Sequence, residues 1–462
     1  MRKWIERIVG LLLAACILQA WFLAGVPIPC RVEGSSMAET LLGAHYAMTC
    51  PDCGFRYFCG SDVAADDLRP VCPNCGYWQE KATPAVELEG DRVLIDRLAY
   101  AFGKAQRWDV AAFRRPAQGE SLVVKRVLGL PGESVQLRHG DVYINRQIQR
   151  KTLRQQRALR ILVHDADFEP TLEPRPPSRW HAEGEAAGWE RITGRWAHPE
   201  SVRRRNPIDW LVYRHWRRGN SPGEVVPCPV TDLCGYNQGR PRREEDVHPV
   251  PDVMLAVRIE AVFGRGVLWF RATDGVEEFL TQLDPAEQSY KVFRRTGQRE
   301  QVGEPVASGR LPGRLDGMTI EISLFDRQFL LALNGRPMAS VPFERIEGEA
   351  NPPNVPLAVG SQGLGVVLRS LRVYRDVYFT RPLSTGRPAD FDPVDILRGD
   401  EYFVVGDNSP ISQDSRTWRP EEAVTEDLFL GRALLVVLPS REVSWGTTHF
   451  QVPDLNRIRY IR

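Results

Sequence analysis

Four cysteines, one serine and one lysine are the residues of this 462-residue chain whose types and spacing could do chemistry. Thr49-Cys50-Pro51-Asp52-Cys53-Gly54 and Val71-Cys72-Pro73-Asn74-Cys75-Gly76 are two copies of one pattern. A Cys-Pro-x-Cys-Gly turn brings two thiolates to one ion, and two such turns complete a tetrahedral site. Cys50, Cys53, Cys72 and Cys75 therefore read as a zinc-ribbon-like module over residues 46–80. Four thiolates leave no open coordination position, so zinc there would be structural. Iron in a rubredoxin-like site and a pair of disulfides are the rival readings. Cys59 and His45 read as bystanders. Cys228 and Cys234 are near enough for a local disulfide, although nine cysteines cannot all pair within the chain.

Ser36 lies in Val32-Glu33-Gly34-Ser35-Ser36-Met37-Ala38-Glu39-Thr40-Leu41-Leu42, which alone reads as a small-residue turn. Lys125 is more telling. Only six of the 60 basic residues are lysine, and this one sits in the β-branched run Leu122-Val123-Val124-Lys125-Arg126-Val127-Leu128. Arginine serves in most surface ion pairs but cannot give up its proton. A strand lysine ordinarily packs its stem and keeps its amine wet. Desolvated instead, its amine has a depressed pKa and can act as a general base. A serine hydroxyl needs such a base, and serine–lysine pairs are a known solution.

The elements that must position these residues start with an apolar run. Ile8 to Cys30 contains no charged residue. As a helix it would extend about 34 Å, enough to cross a hydrocarbon core. Arg2, Lys3 and Arg7 precede it, so the positive-inside rule places the N-terminus in the cytoplasm and the rest outside. A cleaved secretory signal is the alternative, but the run is long for one and Val26-Pro27-Ile28-Pro29-Cys30 is a poor cleavage site.

From residue 86, short strands dominate: 86–96 as a turn entering a strand, 108–113, 121–133 as a β-branched run followed by a Gly-Leu-Pro-Gly turn, and a hairpin over 135–144. The later strand-like pieces 159–163, 209–213, 253–259, 267–271, 318–324, 329–335 and 366–374 alternate apolar and polar residues between turn signals. The pattern is mainly β, with a β-sandwich in the middle. Its late portion, with Asp326-Arg327-Gln328 and Asn334-Gly335 around a Leu-rich strand, loosely resembles a concanavalin-type jelly roll. Trp180, Trp189, Trp196, Trp210 and Trp216 read as core. The domain plan is a cytoplasmic tip and transmembrane anchor over 1–30, then a first core segment over 31–150. An inserted sandwich over 151–390 follows, and a second core segment over 391–462 closes the chain. Net charge is +1, from 60 basic and 59 acidic residues, which gives no electrostatic case for nucleic acid.

Five motifs occur in order: Gly34-Ser35-Ser36-Met37, Gly90-Asp91-Arg92-Val93, Arg107-Trp108-Asp109-Val110, Lys125-Arg126-Val127-Leu128-Gly129-Leu130-Pro131-Gly132, and Gly406-Asp407-Asn408 through Asp414-Ser415-Arg416. With the N-terminal run, they resemble type I signal peptidase, the bacterial leader peptidase, over roughly residues 1–150 and 395–440. That resemblance implies a signal-peptidase-like β core in which Ser36 is the nucleophile and Lys125 its general base. The Ser36 N–H, in the segment with Gly34 and Ser35, would serve the oxyanion. Ser412 would position the lysine amine, and Asp407, Asp414 and Arg416 would hold the site together. Catalysis would need no cofactor. The chain departs from the pattern at Glu39, where proline is common, and at Gly34, where some members carry a serine. It also lacks the arginine often found after Asn408, and the four-cysteine module does not belong to the usual core.

The expected function is removal of N-terminal signal peptides from exported preproteins at the outer face of the bacterial inner membrane. The expected topology is single-pass with a periplasmic catalytic domain. Expected partners are signal-peptide-bearing preproteins and membrane lipid, with a glycan or protein ligand for the insertion. The alternative is a repurposed cell-surface binding protein working through the sandwich. A self-cleaving serine–lysine repressor fits less well, because no DNA-binding segment is evident.

Overall fold

The computed structural model describes residues 2–461, apart from 24–26, 63–67, 80–86, 116–120, 185–187, 201–206, 220, 222, 238–245, 297–302, 345–351, 386–389, 392–395, 438–439 and 446–447. Positions 24–26 of the apolar run and residue 80 at the end of the ribbon-like stretch thus lie outside the described residues. Helix Arg2–Leu23 opens the chain, with Ile8, Val9 and Leu11 to Leu13 exposed. Among the described residues no helix is long and apolar enough to cross a membrane. The expected helical run stops at Leu23, and Pro27–Arg31 is already a strand. Pro27 and Pro29 lack an N–H, which suits this strand to the sheet edge, where among the described residues it pairs with Arg92–Asp96 alone.

The core is an antiparallel sheet in the order Pro27–Arg31, Arg92–Asp96, Phe429–Val436, Val110–Arg114, Leu122–Gly129, Glu401–Val405, Val424–Thr425. Chain segments some 300 residues apart are neighbours in it. Glu401–Val405 joins the lysine strand, pairing Val404 with Val127 and Val405 with Arg126. One face buries Met37, Leu41, Val93, Ile95, Val110 and Ala112. The hairpin that precedes the insertion stands outside this sheet. Residues Val135–Arg138, Asp141–Ile144 and Gln147–Ile148 form their own three-stranded sheet. It packs Leu137, Val142 and Ile144 with Phe379, Phe391 and Phe403 at the junction with the insertion.

The stretch expected to form the inserted sandwich contributes two further sheets. One sheet is centred on Gly365–Arg375 and Val253–Phe263, the other on Leu357–Gln362 and Val267–Thr273, with one shared apolar core between them. Trp180, Trp189 and Trp196 belong to that core and Trp216 is buried. Trp210 is half-buried, with Arg271 stacked 5.0 Å from its ring centroid. Gln328–Leu333 is buried on both faces, because helix Leu153–Leu159 covers its outer side with Leu153 against Leu330 and Ala332. The local disulfide expected at Cys228 and Cys234 does not form; both are free thiols, and Cys234 donates to Glu39 Oε1 at 3.5 Å.

Lys151, at the start of the insertion, meets the core through the Trp108 ring, whose centroid is 5.0 Å from its amine. Its ammonium is buried between Asp326 and Asp376, the latter at 2.7 Å. Burial opposes its charge, but the two carboxylates outweigh burial and hold the amine above its ordinary range.

Candidate active site and four-cysteine module

Among the described residues Lys125 is the other buried lysine, and its surroundings are the opposite. It is 3% exposed in the strand Leu122–Gly129, and its Nζ donates to Ser412 Oγ at 2.9 Å. Among the described residues no carboxylate forms an ion pair with it. Burial pulls the amine down to about 8; Asp414 and Asp407 oppose this from a distance, and Arg416 and Arg115 add to it. An amine at that value can be neutral near physiological pH, as a general base must be.

Ser36 occupies a single 3-10 turn, Ser35–Met37, which follows Gly34 in extended conformation and packs on the lysine strand. Met37, buried in the core, fixes the turn from below. The Gly406-Asp407-Asn408 motif fixes it from the side. Asn408 N donates to Ser36 O at 3.0 Å, and Asn408 Nδ2 donates to Ser35 O at 3.0 Å. A Cβ on Gly406 would come within 2.3 Å of both Ser36 O and Ser412 Oγ. The serine turn and the hydroxyl that holds the lysine amine therefore close on one point, which only glycine leaves open. Gly406→Ala is expected to displace one or the other by about an ångström and to lower turnover roughly hundredfold. Steady-state kinetics on any substrate of the site will check this.

Around that point lie two buried ion pairs. Arg126 is fully buried and bonds Asp407 through Nε and Nη2, both at 2.7 Å, while its Nη1 donates to Trp108 O at 2.6 Å. Thr40 Oγ1 donates to the same carboxylate at 2.5 Å. Asp414 accepts from Arg416 Nε at 2.7 Å and from Gly406 N at 2.9 Å. Burial works against its charge, but Arg416 prevails and keeps the carboxyl below its usual range. Arg416 Nη1 reaches on to Ser409 Oγ at 2.5 Å.

All the sequence-derived residues around Ser36 and Lys125 thus gather in one place. Gly34 offers no side chain, and a Cβ there would meet nothing within 4 Å. Two partners have no counterpart in the sequence motifs. Asp62, just after the ribbon strand Arg56–Gly60, accepts from Ser35 Oγ at 2.5 Å. Asn237, in the insertion, exchanges amide hydrogen bonds with Asn408 at 2.7 and 2.8 Å. Its turn also brings Tyr236 against Ala38 and Leu42, with the Tyr236 hydroxyl donating to Ala44 O at 3.0 Å. No spacing signal could have found Asn237, because it lies 171 residues from its partner.

The four cysteines also converge. Their sulfurs lie within 4.8 Å of one another, with Cys50 to Cys75 at 3.6 Å and Cys53 to Cys72 at 3.7 Å. A tetrahedron of sulfurs about 2.3 Å from a zinc ion has edges of about 3.8 Å, so the donor set fits that ion. The spacing is far outside disulfide length, and all four are free thiols. The two turns are copies in detail. Gly54 N donates to Cys50 O at 2.9 Å and Gly76 N to Cys72 O at 2.8 Å, both glycines having positive φ. The variable residue of each turn grips the insertion. Asp52 accepts from the N–H groups of Thr171 and Leu172 at 2.8 Å and from Arg218. Asn74 donates to Phe168 O and accepts from Asp165 N, both at 2.7 Å. Cys59 and His45 are not part of the four-sulfur group, although Cys59 packs in the same buried cluster.

Residues 79–176 match the family model described as signal peptidase, peptidase S26. That stretch contains Lys125 and the Gly-Leu-Pro-Gly turn; Ser36 and the Gly406–Arg416 segment lie outside it. Signal peptidase I of Leptolyngbya laminosa is 36% identical over 76 residues, 15% of this chain and 36% of that protein. Signal peptidase I V of Bacillus subtilis strain 168 is 32% identical over 57 residues, 12% of this chain and 33% of that protein. These matches support a signal peptidase family at the level of the matched stretch, and the chain spans about a third of the length of the curated relatives it matches. Among solved structures, a carbohydrate-binding module from Bacillus subtilis aligns with 43% of this chain and 93% of its own, at 10% identity and a TM-score of 0.23.

Proposed function

We propose that this chain is a membrane-anchored serine endopeptidase that removes signal peptides from exported preproteins, with Ser36 as nucleophile and Lys125 as general base. The observation that carries the reading is the Lys125 amine. It is dry, free of a carboxylate partner among the described residues, held by Ser412 and lowered to about 8, beside the turn that carries Ser36. A structural lysine looks like Lys151, clamped by two aspartates and raised.

In this mechanism neutral Lys125 takes the proton of Ser36 Oγ as that oxygen attacks the scissile carbonyl carbon. The Ser36 N–H donates to the oxyanion of the tetrahedral intermediate. Collapse breaks the peptide C–N bond, and the leaving amine takes the proton from the Lys125 ammonium. Lys125 then removes a proton from water, which hydrolyses the serine ester and returns Ser36 to its hydroxyl form. Asn408, Asp407, Asp414 and Arg416 hold the geometry. The family resemblance implies small residues at the first and third positions before the cut. The charge-free part of the first helix, residues 8–23, and the exposed Ile8, Val9 and Leu11 to Leu13 support a single-pass anchor in the bacterial inner membrane, with the catalytic domain outside.

The full chain in detergent is expected to cut a model preprotein at an Ala-x-Ala site, with the cut located by N-terminal sequencing of the product. Ser36→Ala is expected to be inert. Equal cleavage by parent and variant would remove Ser36 from this role.

The four-cysteine module is proposed as a structural zinc site that anchors the insertion through Asp52 and Asn74. Elemental analysis is expected to find one zinc per chain, and chelation to lower the melting temperature. Four oxidised cysteines with neither zinc nor iron would assign the site to disulfides instead.

A further inference from the structure

A cavity of about 540 Å³ lies where the core, the insertion and the C-terminal segment meet, within the usual range for small-molecule sites. Leu42, Phe58, Leu159, Ile161 and Val377 give it an apolar wall. Arg157, Arg160, Arg457 and Arg459 also line it. These four guanidiniums share two carboxylates. Arg157 Nε and Arg160 Nη1 reach Glu321 Oε1 at 2.9 and 3.1 Å. Arg457 and Arg459 approach Asp91 at 3.2 and 4.0 Å. Glu39 adds one carboxylate to the wall, and Asp407 is already held by Arg126. Positive charge is left in excess.

One donor is stranded as well. Arg457 stacks on Phe58, 4.5 Å from its ring centroid, and its Nη2 bonds Asp91, but its Nη1 is buried without a hydrogen-bond partner among the described residues. A buried guanidinium N–H without an acceptor is costly, and an anionic oxygen is what would satisfy it. Burial pulls the neighbouring Arg459 below its ordinary value; Asp91 opposes this and Arg457 adds a smaller push in the same direction as burial.

We propose that this cavity binds a small amphiphilic anion, an apolar body with one carboxylate or phosphate head held by the positive charge of Arg457 and Arg459 in its wall. The site stands whether or not Ser36 is a nucleophile. Either head group satisfies the same donors, so the probes separate the two sources.

Titration calorimetry on the full chain in nonionic detergent would use octanoate and octyl phosphate, with octanol and inorganic phosphate as controls. At least one amphiphile is expected to bind saturably at one per chain, and the tighter one identifies the head. Arg457→Gln is expected to weaken it about tenfold. Ala158→Phe, which fills the cavity from its helical wall, is expected to abolish it. Should Arg457→Gln fail to fold, Arg160→Gln takes its place and Ala158→Phe still decides. Octanol binding as tightly as the amphiphiles would reduce the effect to apolar partition, and inorganic phosphate binding as tightly would reduce it to bare charge. Unchanged binding in the variants, or no saturable binding at all, would also overturn the site.

Discussion

Lys125→Met is expected to lower kcat/KM for preprotein cleavage by roughly a thousandfold or more, because a positioned general base contributes rate of that order. Methionine matches the lysine stem in volume but has no proton to move. The fold should survive. The substitution removes a buried amine that burial disfavours and leaves Ser412 Oγ without its donor, a loss of about 1 kcal/mol. In the parent, kcat/KM should climb about tenfold per pH unit and level off near pH 8, as the amine loses its proton. Stability should carry the same signature. The folded value, about 8, lies below the ordinary 10.5, so between them the unfolded chain binds more protons. This residue therefore makes stability rise with pH from about 8 to about 10.5, by roughly 3 kcal/mol in all. Urea midpoints across that window should show the slope in the parent and lack its Lys125 share in Lys125→Met. A parent pH profile flat from 6 to 9 would take the general-base role away from Lys125.

Asp407→Ala should cost 3–5 kcal/mol of stability, on the order found when one partner of a dry ion pair is removed. Arg126 would be left fully buried with Nε and Nη2 lacking acceptors, and Thr40 Oγ1 would lose its partner as well. Activity should fall with it, since Gly406 and Asn408 flank Asp407 and hold the serine turn. Pairing Asp407→Leu with Arg126→Met removes both charges and should restore much of the stability without restoring cleavage. A urea-denaturation loss below 1 kcal/mol for Asp407→Ala would mean that water reaches Arg126 and that the pair is not a structural clamp.

Much of the site is legible in the sequence. Paired Cys-Pro-x-Cys-Gly turns dictate their own geometry, because glycine and thiolate positions are set within six residues; the structure repeats the turn twice with the same hydrogen bonds. Alternation marks the many strands, and one lysine in an apolar strand of an arginine-rich chain marks Lys125. The disulfide expected at Cys228 and Cys234 fails because nearness along the chain does not fix the direction of a side chain. Cys234 turns to Glu39 instead.

What sequence could not supply were the encounters across long separations. Arg126 with Asp407 and Asn237 with Asn408 are 281 and 171 residues apart, and Lys125 with Ser412, 287 apart, was expected through the family resemblance alone. Nor could sequence supply the contrast between two buried lysines, one clamped by aspartates and raised, the other held by a hydroxyl and lowered. Local chemistry determined which elements form and which residues are able to react. Whether an amine is charged depends on the burial and the partners that distant strands bring to it, and those exist only once the sheet has closed.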